Sequence, residues 1–337
     1  MSTSSFDLHE YDLYHLGVSG GKDSARALFW LRYESGIPLN KCIVTFNDTD
    51  NEDALTYAFI RLLSERVMKI QTINPELGFW DLARKKKRFP SAKARFCTQA
   101  LKVIPSMEFV AKIRSGYPDP LRILMLSGVR KEEGHSSNRR GTMGEFDHDP
   151  ILGVDKFRPI YHDTLADVWA AHTKYLKLEW VTELIRSDPT MSDENKADLI
   201  GRMQAHGIPR NPLYDMQATR VGCFPCIHSR KLEVRAMAKY RPERVDFIEA
   251  REIELGQIRK KGGSNTHYSS MFARKTVPER FRSVPIVTKS GESMQVASIR
   301  DVVNWSHTSH GGKQYQMEFG AFDKVPPLAC DAAGMCE

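Results

Sequence analysis

Short apolar runs alternate with segments of helical pattern through the first half of the chain. Each apolar run is short enough for a buried strand, and the segments between them are long enough for helices. This alternation predicts an α/β fold with a mostly parallel, doubly wound sheet covered by helices. The predicted strands lie at 11–18, 42–46, 67–72 and 122–127, and the predicted helices at 23–34, 52–66 and 98–114.

The pattern changes after residue 163, where helical segments follow one another around a pair of cysteines, Cys223 and Cys226. Beyond Gly262 the sequence is rich in loop-forming residues. We therefore predict three parts: a nucleotide-binding α/β domain at 1–160, a helical, cysteine-containing region at 161–261 and a loop-rich extension at 262–337. The predicted helices of the second part lie at 165–178, 193–206, 232–240 and 243–259.

The composition, with 41% hydrophobic and 27% charged residues, is that of a soluble globular protein. No apolar run approaches the ~20 residues that span a bilayer, and residues 1–10 lack the apolar stretch of a signal peptide. We therefore expect a cytoplasmic protein without a membrane partner.

The net charge of +7 is unevenly distributed, because eight basic residues and no acidic residue lie at 84–102. A solvated surface is the plain interpretation of such a segment, and nucleic-acid contact is the functional one. Trp80, Phe89 and Phe96 are near enough in sequence to stack on bases, although aromatic residues at this spacing often pack in a core. The predicted nucleic-acid contacts are Arg84, Lys85, Lys86, Lys87 and Arg88.

The loop Ser19-Gly20-Gly21-Lys22-Asp23-Ser24 follows the first predicted strand and opens a helix. Backbone N–H groups and a helix N-terminus can converge there on an anion. The loop is not a Walker A loop, since Leu16 stands where the first glycine is required and Asp23 where a magnesium-binding Ser or Thr is required. Two other polar segments, at Asp48 and Gly128, also follow predicted strands, which predicts one nucleotide pocket at this sheet edge.

The loop resembles the PP-loop of the N-type ATP pyrophosphatases, with the pattern Ser-Gly-Gly-x-Asp-Ser. In that superfamily the loop binds the β- and γ-phosphates of ATP while the α-phosphate is attacked, and pyrophosphate leaves an adenylylated intermediate. The resemblance implies ATP and Mg²⁺ as cofactors. It implies that the residues at 19–24 hold the phosphates.

Further segments resemble enzymes related to phosphoadenosine phosphosulfate (PAPS) reductase. FNDTDNE at 46–52 is similar to their Asp-Thr-Gly motif with a nearby Glu, although Asp50 replaces the glycine. The others are RFCTQALKVIP at 95–105 (Cys-Thr-x-x-Leu-Lys-x-x-Pro), GVRKEE at 128–133 with Arg139 (Gly-x-Arg-x-x-Glu-Ser-x-x-Arg), PIY at 159–161 with DVW at 167–169 (lacking the family's first Trp), NPLY at 211–214 and RVGCFPC at 220–226.

The resemblance and the strand ends together give one set of site residues. Lys22, Asp23 and Arg130 are the predicted catalytic residues, and Arg130 and Arg139 would bind a phosphate. The predicted nucleotide-binding residues are Ser19, Gly20, Gly21, Lys22, Asp23, Ser24, Asp48, Gly128, Arg130 and Arg139.

Two chemistries compete within this family. Sulfonucleotide reductases release sulfite from PAPS, use a C-terminal cysteine and thioredoxin, and generally keep a degenerate phosphate loop. Dnd-type DNA-phosphorothioation proteins and tRNA-thiolation relatives use ATP, and the intact loop favours that reading, with a cysteine desulfurase as sulfur donor. The chain ends GMCE at 334–337, so only the late cysteine matches the reductase ending. A nucleotide-binding accessory subunit of a nucleic-acid defence complex is the third alternative.

The spacing of Cys223 and Cys226 around a Phe-Pro turn lets two thiolates face one metal or cluster. By the family resemblance Cys97 supplies a third ligand of a 4Fe-4S cluster, and Cys330 or Cys336 is an optional fourth. A zinc site, completed by His228, and an unliganded pair of buried thiols are the alternatives. Cys42 lies in a predicted strand and is assigned to the core.

Overall fold

The computed structural model describes residues 7–117, 121–134, 144–150, 152–261, 267–272, 277–288 and 291–309. Six strands form the main sheet in the order β3-β2-β1-β4-β6-β5, and all neighbours are parallel except β5 and β6. The prediction of a mostly parallel α/β sheet is therefore confirmed. The strands are β1 (Leu13–Val18), β2 (Cys42–Asn47), β3 (Gln71–Ile73), β4 (Ile123–Leu126), β5 (Phe146–Asp149) and β6 (Val154–Phe157).

The helices pack on this sheet and on one another. Two π-helical segments extend them, since Trp30–Glu34 continues α1 and Gln99–Val103 joins α4 to α5. The helices are α1 (Lys22–Phe29), α2 (Ala54–Arg66), α3 (Phe79–Lys86), α4 (Phe96–Thr98), α5 (Ile104–Ser115), α6 (Lys131–Gly134), α7 (Leu165–Tyr175), α8 (Leu178–Arg186), α9 (Asp193–His206), α10 (Lys231–Tyr240), α11 (Pro242–Lys261) and α12 (Ile299–Ser306). A second, two-stranded sheet pairs β7 (Val284–Val287) with β8 (Ser293–Val296).

Two element predictions were wrong in detail. The strand predicted at 67–72 begins only at Gln71, because the N–H groups of Val67 and Met68 both bond Leu63 O at the end of α2. The helix predicted at 165–178 ends at Tyr175, since Leu176 is extended, and a separate, unpredicted helix, α8, begins at Leu178. Helix α3, the hairpin β5–β6 and the elements after residue 277 were not predicted.

One hydrophobic core cluster extends from Leu16 in the central strand to Trp305 in the last helix. The side chains of Leu16, Leu28 and Phe29 are fully buried where α1 covers the sheet. Burial of this apolar surface is the main favourable term in folding. Among the described residues, no helix combines the length and the apolar character that crossing a membrane requires.

Arg241, between α10 and α11, is a buried cation that joins three separate elements. Its Nε lies 2.7 Å from Asp53 Oδ2 and its Nη2 2.5 Å from Asp188 Oδ2. Asp53 also caps α2, since its Oδ1 accepts from Leu55 N at 2.9 Å. Arg241 is only 3% exposed, so water cannot easily replace a charged partner that is lost here.

We expect Arg241→Met to reduce the free energy of unfolding by about 3–5 kcal/mol, because two buried carboxylates lose their cation. Arg300→Met is the matched control, since the Arg300 side chain is 53% exposed and its ion pairs are on the surface. The control should change stability by at most about 1 kcal/mol. Urea unfolding of both variants measures the difference, and equal losses would contradict the assignment.

Glu252, in α11, is a second buried hub, with no exposed surface. Its carboxylate accepts hydrogen bonds from the Tyr268 hydroxyl at 2.5 Å, from Met271 N at 2.7 Å and from Ile299 N at 2.8 Å. The last two donors are backbone groups of the segment at 267–272 and of α12. Glu252 therefore fastens the C-terminal elements to α11.

Burial raises the pKa of Glu252 from its ordinary value of 4.5 to about 7. A pKa raised by folding contributes stability that is present below about pH 4.5 and is lost as the pH rises through about 7. Glu252→Gln should remove this dependence of stability on pH, even if it also changes stability at every pH by the same amount. Thermal unfolding of both proteins between about pH 5 and about pH 8 provides the test, and parallel profiles would show that Glu252 does not titrate.

Candidate active site

The loop at 19–24 joins β1 to α1 at the carboxyl end of the central strand. Gly20 has a φ of +76°, in the left-handed region that favours glycine. The loop is closed by its own side chains, since Ser24 Oγ accepts from Ser19 N at 3.1 Å and donates to Gly21 O at 3.0 Å. Gly21 precedes α1 without a side-chain cap. The positive end of the helix dipole is therefore directed at the loop, as an anion site requires.

Residues far away in sequence form hydrogen bonds with this loop and hold it in place. Asn211 Nδ2 donates to Gly20 O at 3.2 Å, and Lys22 N donates to the Tyr214 hydroxyl at 3.0 Å. The Nε2 of buried His172 lies 3.0 Å from Lys22 O. Its Nδ1 lies 3.1 Å from Pro209 O, and burial lowers the pKa of His172, which favours a neutral ring that donates to one of these two carbonyls. The Pro-Leu-Tyr segment thus supports the loop.

Asp23 binds two cations at once. Its Oδ2 lies 2.7 Å from Lys22 Nζ and its Oδ1 lies 2.7 Å from Arg130 Nε. Burial by itself would raise the pKa of Asp23, but the charges and hydrogen bonds of Lys22 and Arg130 outweigh it and lower the pKa. Asp23 is therefore ionised at neutral pH. The structure brings the three predicted catalytic residues together, while Arg139 lies outside the described residues.

Gly128 lies where β4 ends against the first turn of α1. A Cβ added to Gly128 would lie 2.5 Å from Asp23 O and 2.8 Å from Ser24 Cα, far inside normal contact distance. The contact is with backbone, which cannot rotate away. The structure thus gives Gly128 a packing role, and the predicted role in binding nucleotide stays a prediction.

Asp48 follows β2 at the same edge. Its Oδ1 accepts from the Tyr57 hydroxyl at 2.6 Å and from Asp50 N at 2.8 Å. Behind it, Thr49 Oγ1 donates to Glu52 Oε1 at 2.7 Å. The loop after β2 is therefore fixed by its own carboxylates.

The turn that contains Cys223 and Cys226 rests on this loop. Phe224 N donates to Asn51 O at 2.6 Å, and Asn51 Nδ2 donates to Pro225 O at 3.2 Å. Arg244 completes the contact, donating to Asn51 Oδ1 at 2.6 Å and to Phe224 O at 3.1 Å. The loop after β2 and the cysteine turn are thereby connected by one backbone hydrogen bond and by bonds from the side chains of Asn51 and Arg244.

The three predicted cysteine ligands have different surroundings. Cys223 Sγ lies 3.4 Å from Thr49 Oγ1, and burial raises the pKa of its thiol to about 11. The pKa of Cys97 is raised mainly by burial and, to a smaller extent, by the neighbouring Cys226. Arg220 Nη2 donates to Cys226 Sγ at 2.9 Å. The thiols of Cys97 and Cys226 are therefore neighbours.

Three thiols suit iron or zinc by ligand type. Within the described ranges, however, no three His, Cys, Asp or Glu side chains are arranged to hold a metal ion. Cys330 and Cys336 lie outside those ranges. His228 Nε2 is buried and has no hydrogen-bond partner among the described residues. The 4Fe-4S cluster and the zinc alternative stay predictions.

The basic strip, Arg84–Arg88, lies at the end of α3 and is exposed throughout. Arg84 pairs with Asp81 and Glu254, while the guanidinium of Arg88 lies 5.6 Å from the ring centre of Phe96, beside Cys97. The strip thus adjoins the cysteines, and its contact with nucleic acid stays a prediction.

Stacking on bases is not supported for Phe89, which is only 5% exposed. Trp80 packs edge to face against Phe247, with ring centres 4.8 Å apart. Both rings belong to the core cluster or pack against it, as Phe96 does. Phe89 is therefore a core residue, while base stacking by the half-buried Trp80 and Phe96 stays a prediction.

Comparison with known proteins identifies the family of the chain. The phosphoadenosine phosphosulfate reductase domain matches residues 14–229, which include the loop, Arg130 and the cysteine turn. The chain belongs to the PAPS reductase domain family. A protein of Escherichia phage 186, described as an uncharacterized 37.8 kDa protein in the gpa 5′ region, is 29% identical over 286 residues, or 81% of this chain and 70% of that protein.

Among solved structures, the PAPS reductase of Candida auris in its phosphate complex is similar. The identity is 14% and the TM-score 0.42, over 64% of this chain and 84% of that chain. The family resemblance predicted from the sequence segments is confirmed by the domain match. As a PAPS reductase-like protein, the chain is a member of a family of nucleotide-binding enzymes.

Several residues of this PAPS reductase-like site were missed by the sequence prediction. Asn211, Tyr214 and Arg220 stood in segments that carried the resemblance, but no role was assigned to them. Lys102, which acts electrostatically on both Glu52 and Cys223, was likewise only part of a motif. His172 gave no sequence signal, because an isolated histidine in a helix is most often a core residue.

We expect Gly128→Ala to lower the free energy of unfolding by about 1–3 kcal/mol, because the methyl group forces β4 away from α1. Gly201→Ala in α9 is the control: its Cβ would meet nothing within 4 Å. Thermal unfolding of both variants measures the difference, and a Gly128→Ala protein as stable as the control would contradict the close contact.

Proposed function

We propose that the chain is an ATP pyrophosphatase that adenylylates an acceptor, a nucleic acid, for sulfur transfer in the manner of Dnd-type phosphorothioation proteins. The observation that carries the proposal is the intact phosphate loop with Asp23 held between Lys22 and Arg130. The loop keeps every residue of the Ser-Gly-Gly-x-Asp-Ser pattern, which favours binding of a triphosphate. The sulfonucleotide reductases, in contrast, generally keep a degenerate loop.

In this proposal the phosphates bind at the uncapped start of α1, where the helix dipole and Lys22 offset the charge of the leaving pyrophosphate. Asp23 orients Lys22, because both of its oxygens already contact cations. Arg130, held by Asp23, adds positive charge at the α-phosphate. Asp48 is the carboxylate that β2 places at this edge, and it would hold Mg²⁺, which supplies further charge neutralisation.

The acceptor side rests on the basic strip Arg84–Arg88. Exposed lysines and arginines bind the phosphate backbone without reading sequence, and such binding weakens with salt. The strip adjoins Phe96 and Cys97, so a bound strand would pass the cysteines. Sulfur for the activated acceptor would come from a cysteine desulfurase or another persulfide donor. Thioredoxin is needed only if the chain is a reductase.

Pyrophosphate release from ATP, with DNA or RNA present, tests the proposal. We expect Lys22→Ala to lower the rate about tenfold or more, because a charge-assisted contact is worth about 1.5–3 kcal/mol. Lys112→Ala, an exposed lysine of α5, is the matched control and should keep the wild-type rate.

Two other outcomes would replace the proposal. Sulfite release from PAPS with thioredoxin, without pyrophosphate release from ATP, would identify a sulfonucleotide reductase. ATP binding without either reaction would identify a nucleotide-binding accessory subunit. Iron content and the visible spectrum of anaerobically purified protein decide between a 4Fe-4S cluster, zinc and free thiols at Cys97, Cys223 and Cys226.

A further inference from the structure

The cysteine turn presents one sulfur atom to a permanent cation. Arg220 Nη2 donates to Cys226 Sγ at 2.9 Å, and Cys226 is partly exposed. A guanidinium is charged at all physiological pH values, so it stabilises an anionic sulfur beside it. Cys226 is fixed in place, because its N–H donates to Ser229 Oγ at 3.0 Å and its carbonyl accepts from Ser229 N at 2.8 Å.

The sulfur atoms of the other described cysteines have different hydrogen-bond partners. Cys223 Sγ faces the Thr49 hydroxyl, and Cys42 Sγ donates to Pro38 O at 3.4 Å. Lys102 acts electrostatically on Cys223 and Arg95 on Cys97, but among the described residues neither cation donates a hydrogen bond to the sulfur. Cys226 is therefore the described cysteine whose sulfur accepts a hydrogen bond from a guanidinium.

We propose that Cys226 carries sulfur as a persulfide and that Arg220 is its positioning residue. The proposal rests on the proposed function, because an adenylylated acceptor needs a sulfur nucleophile.

The loading step is a sulfur transfer from a protein or low-molecular-weight persulfide. The Cys226 thiolate attacks the outer sulfur of the donor, forming a new S–S bond. The donor's own S–S bond breaks, and its electron pair leaves with the donor thiolate. The outer sulfur arrives with its proton, which is then released to water. Arg220 stabilises the terminal sulfur anion, and no external oxidant or reductant is required.

The test uses the full chain, purified under anaerobic conditions, and glutathione persulfide as the donor, without nucleotide. Alkylation and peptide mass spectrometry then locate the added sulfur atom. We expect loading on Cys226, loss of loading in Cys226→Ser, and wild-type loading in Cys42→Ser. Cys223→Ser leaves one cysteine in the peptide and makes the assignment unambiguous.

Arg220 is tested separately, because its loss could also disturb the turn. Arg220→Gln should slow loading about tenfold, as expected for a lost charge-assisted contact, and Arg220→Lys should restore part of the rate. Alkylation of unloaded Cys226 by neutral iodoacetamide reports exposure of the turn. If Arg220→Gln changes loading and alkylation equally, or changes neither, the positioning role is refuted.

Other results overturn the persulfide itself. Loading on Cys97 or Cys223 in place of Cys226 does so, and so does tightly bound iron that is lost in Cys226→Ser. Because loading is measured without ATP, it remains readable if pyrophosphate release fails. Loading without pyrophosphate release would refute the proposed function and leave the persulfide site standing.

Discussion

The two salt bridges of Asp23 are the interaction on which the nucleotide site depends. Lys22 belongs to the loop after β1 and Arg130 follows β4, so one carboxylate joins two neighbouring strand ends. Burial opposes the charge of Asp23, and the two cations restore it. Positive charge is thus fixed before a phosphate arrives. Such preorganisation is what makes electrostatic stabilisation of a transition state effective.

The β2–α2 loop connects the strand ends to the cysteine turn. Asp48 follows β2, while Asn51, three residues later, bonds the backbone on both sides of the Phe224–Pro225 peptide. In the proposed function, activation and sulfur transfer act on the same acceptor in sequence. A shared loop would then fix the spacing between the two sites, so that the acceptor would not have to be released between steps.

The parts that sequence predicts well are local. The loop at 19–24 is recognisable because a strand, two glycines and a helix start are consecutive. His172 was not recognisable, since its contact with Lys22 O joins residues 150 positions apart. The β5–β6 hairpin was missed because the charged residues Asp149, Asp155 and Lys156 interrupt the apolar pattern that predicts a strand. Those charges instead form pairs such as Lys156–Asp149, at 2.6 Å across the hairpin.

Asp50, which departs from the family glycine, shows how a motif can change while its geometry is kept. Its φ is +57°, the left-handed region in which Asp is tolerated better than most residues. The side chain needs space, and Gly78 supplies it, because a Cβ there would lie 2.5 Å from Asp50 Oδ2. Asp50 N also donates to Asp48 Oδ1 at 2.8 Å. The loop after β2 therefore accommodates an aspartate where the family motif has glycine.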